Sequence, residues 1–310
     1  MPITTRLLAI GRSGKYYFDS LRSIIFPALL ANLKKQRLDL LLVERNLCAS
    51  RQLAQRWIQA GEVRVNGEVV DKSGTAILVT ATVEVKARAR FVSRGGEKLA
   101  KALDVFSIAT RDRICLDAGI STGGFTDCLL QAGAKQVYGI DVGYGQVDWK
   151  LRTDDRVILR ERTNIRHLTP AELYGAAVED IYPVTLPDLG VVDVSFISAI
   201  KILPALKLLL TPPKELVLLV KPQFEVGKDA IGKNGVVRDL AAQARAIWGV
   251  LGAAQELGWN YRGLTWSPLV GPAGNIEYLL WLNTNSDELA TAPDLDEINL
   301  LTASAREALL

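Results

Sequence analysis

Leu116 to Asp127 reads LDAGISTGGFTD, an apolar strand end that runs through a glycine-broken turn into a helix-forming segment. Gly119 permits a tight turn, and Gly123 and Gly124 let backbone N–H groups approach a ligand at the positive end of the following helix. The spacing narrows the choice of ligand. G-x-x-x-G-G is not the G-x-G-x-x-G of dinucleotide sites, and no lysine follows the glycines as in a phosphate loop. Asp141 ends the next strand, where a carboxylate accepts hydrogen bonds from ribose hydroxyls. Glycine loop and acid together fit any adenosine-bearing cofactor. Asp193, in VVDVSF, falls where strand-end carboxylates point into the ligand crevice of open α/β sheets.

Other chemistries are poorly supplied. His167 is the one histidine, so multi-histidine metal sites are excluded, and no metal is expected. Cys48, Cys115 and Cys128 form no CxxC pair, which argues against a disulfide framework or thiolate zinc and for a reducing, cytoplasmic setting. With 37 Lys and Arg against 34 Asp and Glu, the formal charge is +3, so binding to nucleic acid depends on where the cations cluster. No apolar run reaches the roughly 18 residues of a membrane span.

These residues need a frame that gathers strand ends. The 310 residues, 49% of them apolar, suffice for one large and one small domain. From Arg113 onward short apolar strands alternate with helices, predicting a doubly wound α/β domain. Strands are expected at Ile114–Asp117, Gln136–Asp141, Val157–Arg160, Gly190–Val194, Glu215–Lys221, Tyr261–Thr265 and Ile276–Leu282. Helices are expected at Gly124–Ala132, Ala199–Leu210 and Leu240–Leu257. The last two strands have no helix between them, which implies an antiparallel closing hairpin. Upstream, residues 37–90 read as helix, helix and hairpin, with Ser50 as an N-cap, Gly61 as a helix stop and Asn66-Gly67 as a type I′ turn. Arg45, Arg51, Arg56, Arg64 and Lys72 punctuate this module. They form either a phosphate-facing surface or an ordinary solvated face. Residues 1–36 read as a flexible basic extension, and 284–310 as an acidic tail, mobile or weakly helical.

The acid-glycine loop, Asp141, VVDVSFIS, LVKPQFEVGK and the upstream FVSRGGEKLAKAL together resemble the TlyA family of ribosomal RNA 2′-O-methyltransferases, sometimes labelled hemolysins. The resemblance spans about Arg37 to Asn283. It implies an S4-like RNA-binding domain at 37–90, and at 91–283 a Rossmann-like methyltransferase domain, similar to FtsJ, that uses S-adenosylmethionine. It further implies a catalytic tetrad at Lys98, Asp193, Lys221 and Glu277. A ribose hydroxyl is a poor nucleophile, so deprotonation and alignment are what a protein must add. Lys221, ending an apolar strand and close to other cations, could act as general base with a lowered pKa. Lys98 and Asp193 would orient the hydroxyl and Lys221, and Glu277 would hold Lys98 or the ribose. Taken singly, a strand-end lysine more often snorkels to solvent, and a strand glutamate is more often an edge charge.

For the cofactor, the same resemblance implies Gly119, Ser121, Thr122, Gly123 and Gly124 at the methionine end and Asp141 at the ribose. Asp117 braces the loop, and Asp193 borders the site. Asn164 meets the adenine edge or simply caps the next turn. The stretch after Lys221, PQFEVGKDAIGKNGVVRD, reads as a mobile lid or RNA-contacting flap, with Lys228, Lys233 and Arg238 adding charge. The expected partner is ribosomal RNA or a ribosomal subunit, with cytidine favoured as target. The rival is a non-catalytic RNA-binding assembly factor with a degenerate methyltransferase domain. A nicotinamide oxidoreductase is disfavoured by the glycine spacing and closing hairpin, and a membrane-active hemolysin by the lack of a span.

Overall fold

The computed structural model describes residues 34–86, 89–175, 186–285 and 290–310. Of the basic extension expected over 1–36, residues 1–33 lie outside these. The chain divides at residues 88/89 into two compact units.

The first unit runs β1 (Lys35–Arg37), α1 (Leu38–Glu44), α2 (Arg51–Gln59), β2 (Val63–Val65), β3 (Glu68–Val69), β4 (Ala76–Leu78) and β5 (Val83–Val85). It starts earlier than the composition break at Arg37 suggests, because Lys35 pairs with Leu78 in a short antiparallel ladder. Ser50 caps α2 by accepting from the Leu53 N–H, and both Asn66 and Gly67 take positive φ, as a type I′ turn between β2 and β3 requires. Leu38, Leu42, Ala54, Ile58 and Val63 form its own small core.

The second unit runs α3 (Gly95–Val105), β6 (Ile114–Ala118), α4 (Gly124–Gln131), β7 (Gln136–Ile140), α5 (Trp149–Arg152), β8 (Val157–Arg160), α6 (Pro170–Tyr174), β9 (Leu189–Val192), α7 (Leu203–Leu209), β10 (Glu215–Val220), α8 (Pro222–Glu225), α9 (Leu240–Glu256), β11 (Asn260–Trp266), β12 (Tyr278–Asn283) and α10 (Leu295–Leu309). Its seven strands lie in the order β11-β12-β10-β9-β6-β7-β8. β12 is antiparallel to both β10 and β11, whereas the pairings from β10 to β8 are parallel. The architecture is therefore the expected α/β sheet with a closing hairpin. Both faces are buried, so β10 is apolar from Leu216 to Val220: Leu216, Leu218 and Val220 face one core cluster, Val217 and Leu219 the other.

Elements of the second unit also differ from expectation. The segment read as one helix over Ala199–Leu210 is a 3-10 turn (Ala199–Lys201) followed by α7, with Pro204 in the first turn of α7. The tail, read as mobile or weakly helical, ends in a 15-residue helix, α10. An Asp294–Glu297 capping box starts it, and its buried Ile298, Thr302 and Ala305 pack it on the large unit. Its three buried positions are too sparse a stripe to stand out in a polar segment.

Candidate active site

The parallel strands β6, β7, β9 and β10 all deliver their C-terminal ends to one edge of the sheet, and the charged groups cluster there. Asp193 follows β9, its N–H bonded to the Ala118 carbonyl at 3.0 Å. Lys221 follows β10, and its Nζ lies 2.6 Å from Asp193 Oδ1 and donates to Ser195 Oγ at 2.8 Å. Lys98, on the first turns of α3, meets Glu277, just before β12, at 2.6 Å. Lys98, Lys221 and Glu277 are all buried. All four residues line one cavity of about 420 Å³. The immediate ionic neighbour of Lys221 is therefore a carboxylate and not other cations, and α3, unassigned from sequence, is what brings Lys98 in.

A second cavity, of about 520 Å³, opens beside the first and is bordered by Ile140, Asp141, Val142, Asn164 and Ile165. A third, about 210 Å³, is bordered by Arg94, Lys98, Ser121, Thr122 and Gly124. Ser121 and Asp193 border all three, so the spaces meet there. The residues present fit S-adenosylmethionine. The 520 Å³ space has apolar walls for a base, with a carboxylate and an amide at its rim, and the 210 Å³ space offers polar groups for an amino-acid end.

The glycines of the loop are required by packing, and Gly119 and Gly124 also border the cavities. Gly119 has φ +88°, and a Cβ there would lie 2.8 Å from the Asp193 carbonyl oxygen. A Cβ on Gly123, φ +99°, would run into the Leu151 side chain, and one on Gly124 into Ser93 and the Gly96 backbone. Gly123 borders none of the three cavities, and Gly124 lets α4 abut the start of α3, which carries Lys98.

Asp141 is partly engaged within the protein. Its Oδ2 accepts from Ser121 N at 2.8 Å and its Oδ1 from Gly143 N at 2.7 Å, leaving further lone pairs toward the cavity. Asn164 borders the same cavity while its Oδ1 caps the Ile165–His167 turn, so the capping role does not remove it from the cavity wall. Asp117 lies below the loop, fully buried, with Thr126 donating to Oδ2 at 2.7 Å and no hydrogen bond to Oδ1 among the described residues. Burial, reinforced by the nearby charges of Asp193 and Asp141, pushes its carboxyl up to about 7.

Several residues at the site carry no sequence signal of their own. Phe196, with left-handed backbone and 92% exposed, stands at the mouth against Phe224. Glu225 is raised above the usual carboxylate range by burial and holds the Ser198 turn through Ser198 Oγ at 2.6 Å and Ala199 N at 2.8 Å. Asn275 fixes the stretch after Lys221, accepting from Val237 N and donating to the Gly235 carbonyl, while Gln243 donates to the Val237 carbonyl. With Val237 buried, residues 235–237 at the far end of the stretch expected to be a mobile lid or RNA-contacting flap are hydrogen-bonded to Asn275 and Gln243.

In the first unit the candidate cations separate into two groups. Arg45 donates to the carbonyls of Val79 and Ala81, and Arg51, with Arg37 and Gln55, binds the buried Asp39. The Arg37 guanidinium holds the Asp39 carboxyl well below its usual range. Arg45 and Arg51 thus have structural partners instead of forming a purely phosphate-facing set. Arg56, Arg64 and Lys72 are exposed, and Arg64 donates to the Gly67 carbonyl.

Residues 91–284 match the FtsJ-like methyltransferase family and residues 36–83 the S4 domain. A 16S/23S rRNA (cytidine-2′-O)-methyltransferase, TlyA, from Mycobacterium tuberculosis is 47% identical over 266 residues, covering 85% of this chain and 96% of that one. Hemolysin A of Brachyspira hyodysenteriae is 40% identical, covering 78% and 98%. A solved structure described as a hemolysin, from Streptococcus thermophilus, superposes with a TM-score of 0.65 at 40% identity, covering 89% and 97%. Among the described residues no helix is long and apolar enough to cross a membrane.

Proposed function

Because the chain belongs to the FtsJ-like methyltransferase family, and within it to the TlyA group, we propose that it methylates the 2′-hydroxyl of a cytidine in cytoplasmic ribosomal RNA. The observation that carries this reading is the gathering of Lys98, Asp193, Lys221 and Glu277 around one cavity that meets the cofactor space at Ser121 and Asp193.

Bound S-adenosylmethionine would supply a methyl group already activated toward nucleophiles, held by Asp141 and Asn164 at its adenosine and by Ser121 and Thr122 at its amino-acid end. The protein must then prepare the hydroxyl. Two of the three Lys221 N–H directions are taken by Asp193 and Ser195, leaving one for the acceptor oxygen. As a neutral amine with its lone pair in that remaining direction, Lys221 would take the hydroxyl proton as the oxygen attacks, held in orientation by Asp193 and Ser195. Lys98, anchored by Glu277, offers a second cation to the developing alkoxide. Alignment of the hydroxyl against these fixed side chains would supply the entropic part of the acceleration. The exposed Arg56, Arg64 and Lys72 of the S4 unit are suited to hold phosphates of the RNA.

The test is transfer of labelled methyl from S-adenosylmethionine to ribosomal RNA lacking its own modifications, as free RNA and as subunits, for wild type and Lys221→Ala. Transfer by wild type alone, at 2′-positions resistant to alkaline hydrolysis, is the expected result. Equal transfer by both proteins refutes the role of Lys221. Cofactor binding without transfer to any form would instead favour a non-catalytic RNA-binding factor.

A further inference from the structure

Glu277, which anchors Lys98, sits in a short stretch held by a buried polar clasp that reaches well outside the acceptor cavity. Its own carbonyl accepts from Ser267 N at 2.8 Å. The residues on either side of it are tied by side chains. Tyr278, the fully buried first residue of β12, donates through its hydroxyl to Gln243 Oε1. Gln243 donates in turn to the Val237 carbonyl at 2.7 Å. Val237 N donates to Asn275 Oδ1 at 2.9 Å, and Asn275 Nδ2 to the Gly235 carbonyl at 2.9 Å. Both polar ends of Gln243 thus lead to residues within two positions of Glu277. Gly235, Asn275 and Glu277 line the acceptor cavity, whereas Gln243, Val237 and Tyr278 do not. Every other buried residue of α9 is apolar, so packing alone gives no reason for an amide at this position.

We propose that Gln243 is a positioning residue for methyl transfer: it fixes the Glu277 carboxylate, and through it the Lys98 ammonium, at the acceptor cavity. This rests on the ribose-methylation reading above. Side chains alternate along an extended chain, so Tyr278 enters the core on one face while Glu277 points to the other. The hydrogen bond that sets Tyr278 therefore also sets the direction of Glu277. Little play is left there. Glu277 Oε2 lies 2.6 Å from Lys98 Nζ, and a Cβ on Gly271 would come within 2.8 Å of Oε1. A charge-assisted hydrogen bond this short is lost through small rotations, because its strength falls steeply with angle. A satisfied amide constrains direction, which an apolar side chain of the same size would not.

The experiment is a double-mutant cycle on methyl transfer to ribosomal RNA lacking its own modifications. Gln243→Leu, close in volume but with neither donor nor acceptor, is compared in the wild-type and Glu277→Gln backgrounds. The readouts are kcat, KM for RNA, cofactor affinity and thermal melting. Tyr278→Phe, which removes only the hydroxyl, runs through the same cycle and carries the test if Gln243→Leu fails to fold. In the wild-type background both should lower kcat, Gln243→Leu by roughly tenfold, the worth of one hydrogen bond. Cofactor affinity should hold, because Gln243, Val237, Asn275 and Tyr278 border neither cofactor cavity. With Glu277→Gln already in place, neither substitution should lower kcat further by more than about twofold. Equal losses in the two backgrounds, or a lower melting temperature with kcat unchanged, overturn the assignment of Gln243. Failure of wild type to transfer methyl to any of the RNA strikes at the ribose-methylation reading itself, and this proposal falls with it.

Discussion

Asp117 lies near the end of β6 under the glycine loop, where hydrogen bonds from Thr126 do not offset the cost of burying its ionised form. Burial is the main cause that raises this carboxyl to about 7, against an ordinary value of about 3.9. Between those two values the folded chain keeps a proton that the unfolded chain has released. Stability contributed by the protonated group is therefore fully present below about pH 4 and declines as pH rises toward 7, by about 1.4 kcal/mol per unit, or roughly 4 kcal/mol in all. Asp117→Asn mimics the protonated side chain without titrating. Urea unfolding of both proteins at pH 5, 6, 7 and 8 isolates the effect, since their other groups titrate in common. The asparagine variant should gain on wild type steadily across this range and level off near pH 8. A stability difference that stays constant with pH would refute the argument that this carboxyl is held neutral by burial.

Gly119→Ala places a Cβ against the Asp193 carbonyl at a left-handed backbone position, so it should displace Asp193 and cut methyl transfer at least tenfold while costing about 1–2 kcal/mol of stability; kinetics alongside thermal melting check this. In the first unit, Asp39→Ala strips the partner shared by Arg37, Arg51 and Gln55 and should destabilise that unit by about 3 kcal/mol, measured by denaturant unfolding. Replacing Arg56, Arg64 and Lys72 together by alanine should leave unfolding unchanged and lower the salt dependence of RNA binding by roughly two to three in log–log slope.

Signals that act over a few residues were legible. The Ser50 cap, the Asn66-Gly67 turn and the strand-loop-helix around Gly119 each depend on backbone preferences within one turn, and each occurs where the residues call for it. The β12 hairpin followed from the absence of a helix between two apolar strands. Asp141, Asp193 and Lys221 were legible as strand-end groups, which share one edge of a parallel sheet whatever the strand order, whereas Lys98 and Glu277 entered only through the resemblance to the TlyA family. The α3 segment in SRGGEKLAKAL carries a weak helical signal because it opens on paired glycines, which in the fold let Phe125 approach Gly95 and Phe91 approach Gly96.

What the sequence by itself determined, then, was the element menu, the cofactor class and the edge of the sheet where chemistry would sit. Only the tertiary structure decided who pairs with whom. Lys98 and Glu277 lie 179 residues apart and meet because α3 docks beside α4 while β12 inserts next to β10. The same holds for the arginines given to Asp39 and to the Val79 and Ala81 carbonyls, for the loop pinned by Asn275, and for the packed α10. The physical reason is range. Local backbone preference reaches one turn of chain, whereas ion pairing, burial and the fate of each buried hydrogen bond depend on neighbours that only the folded chain supplies.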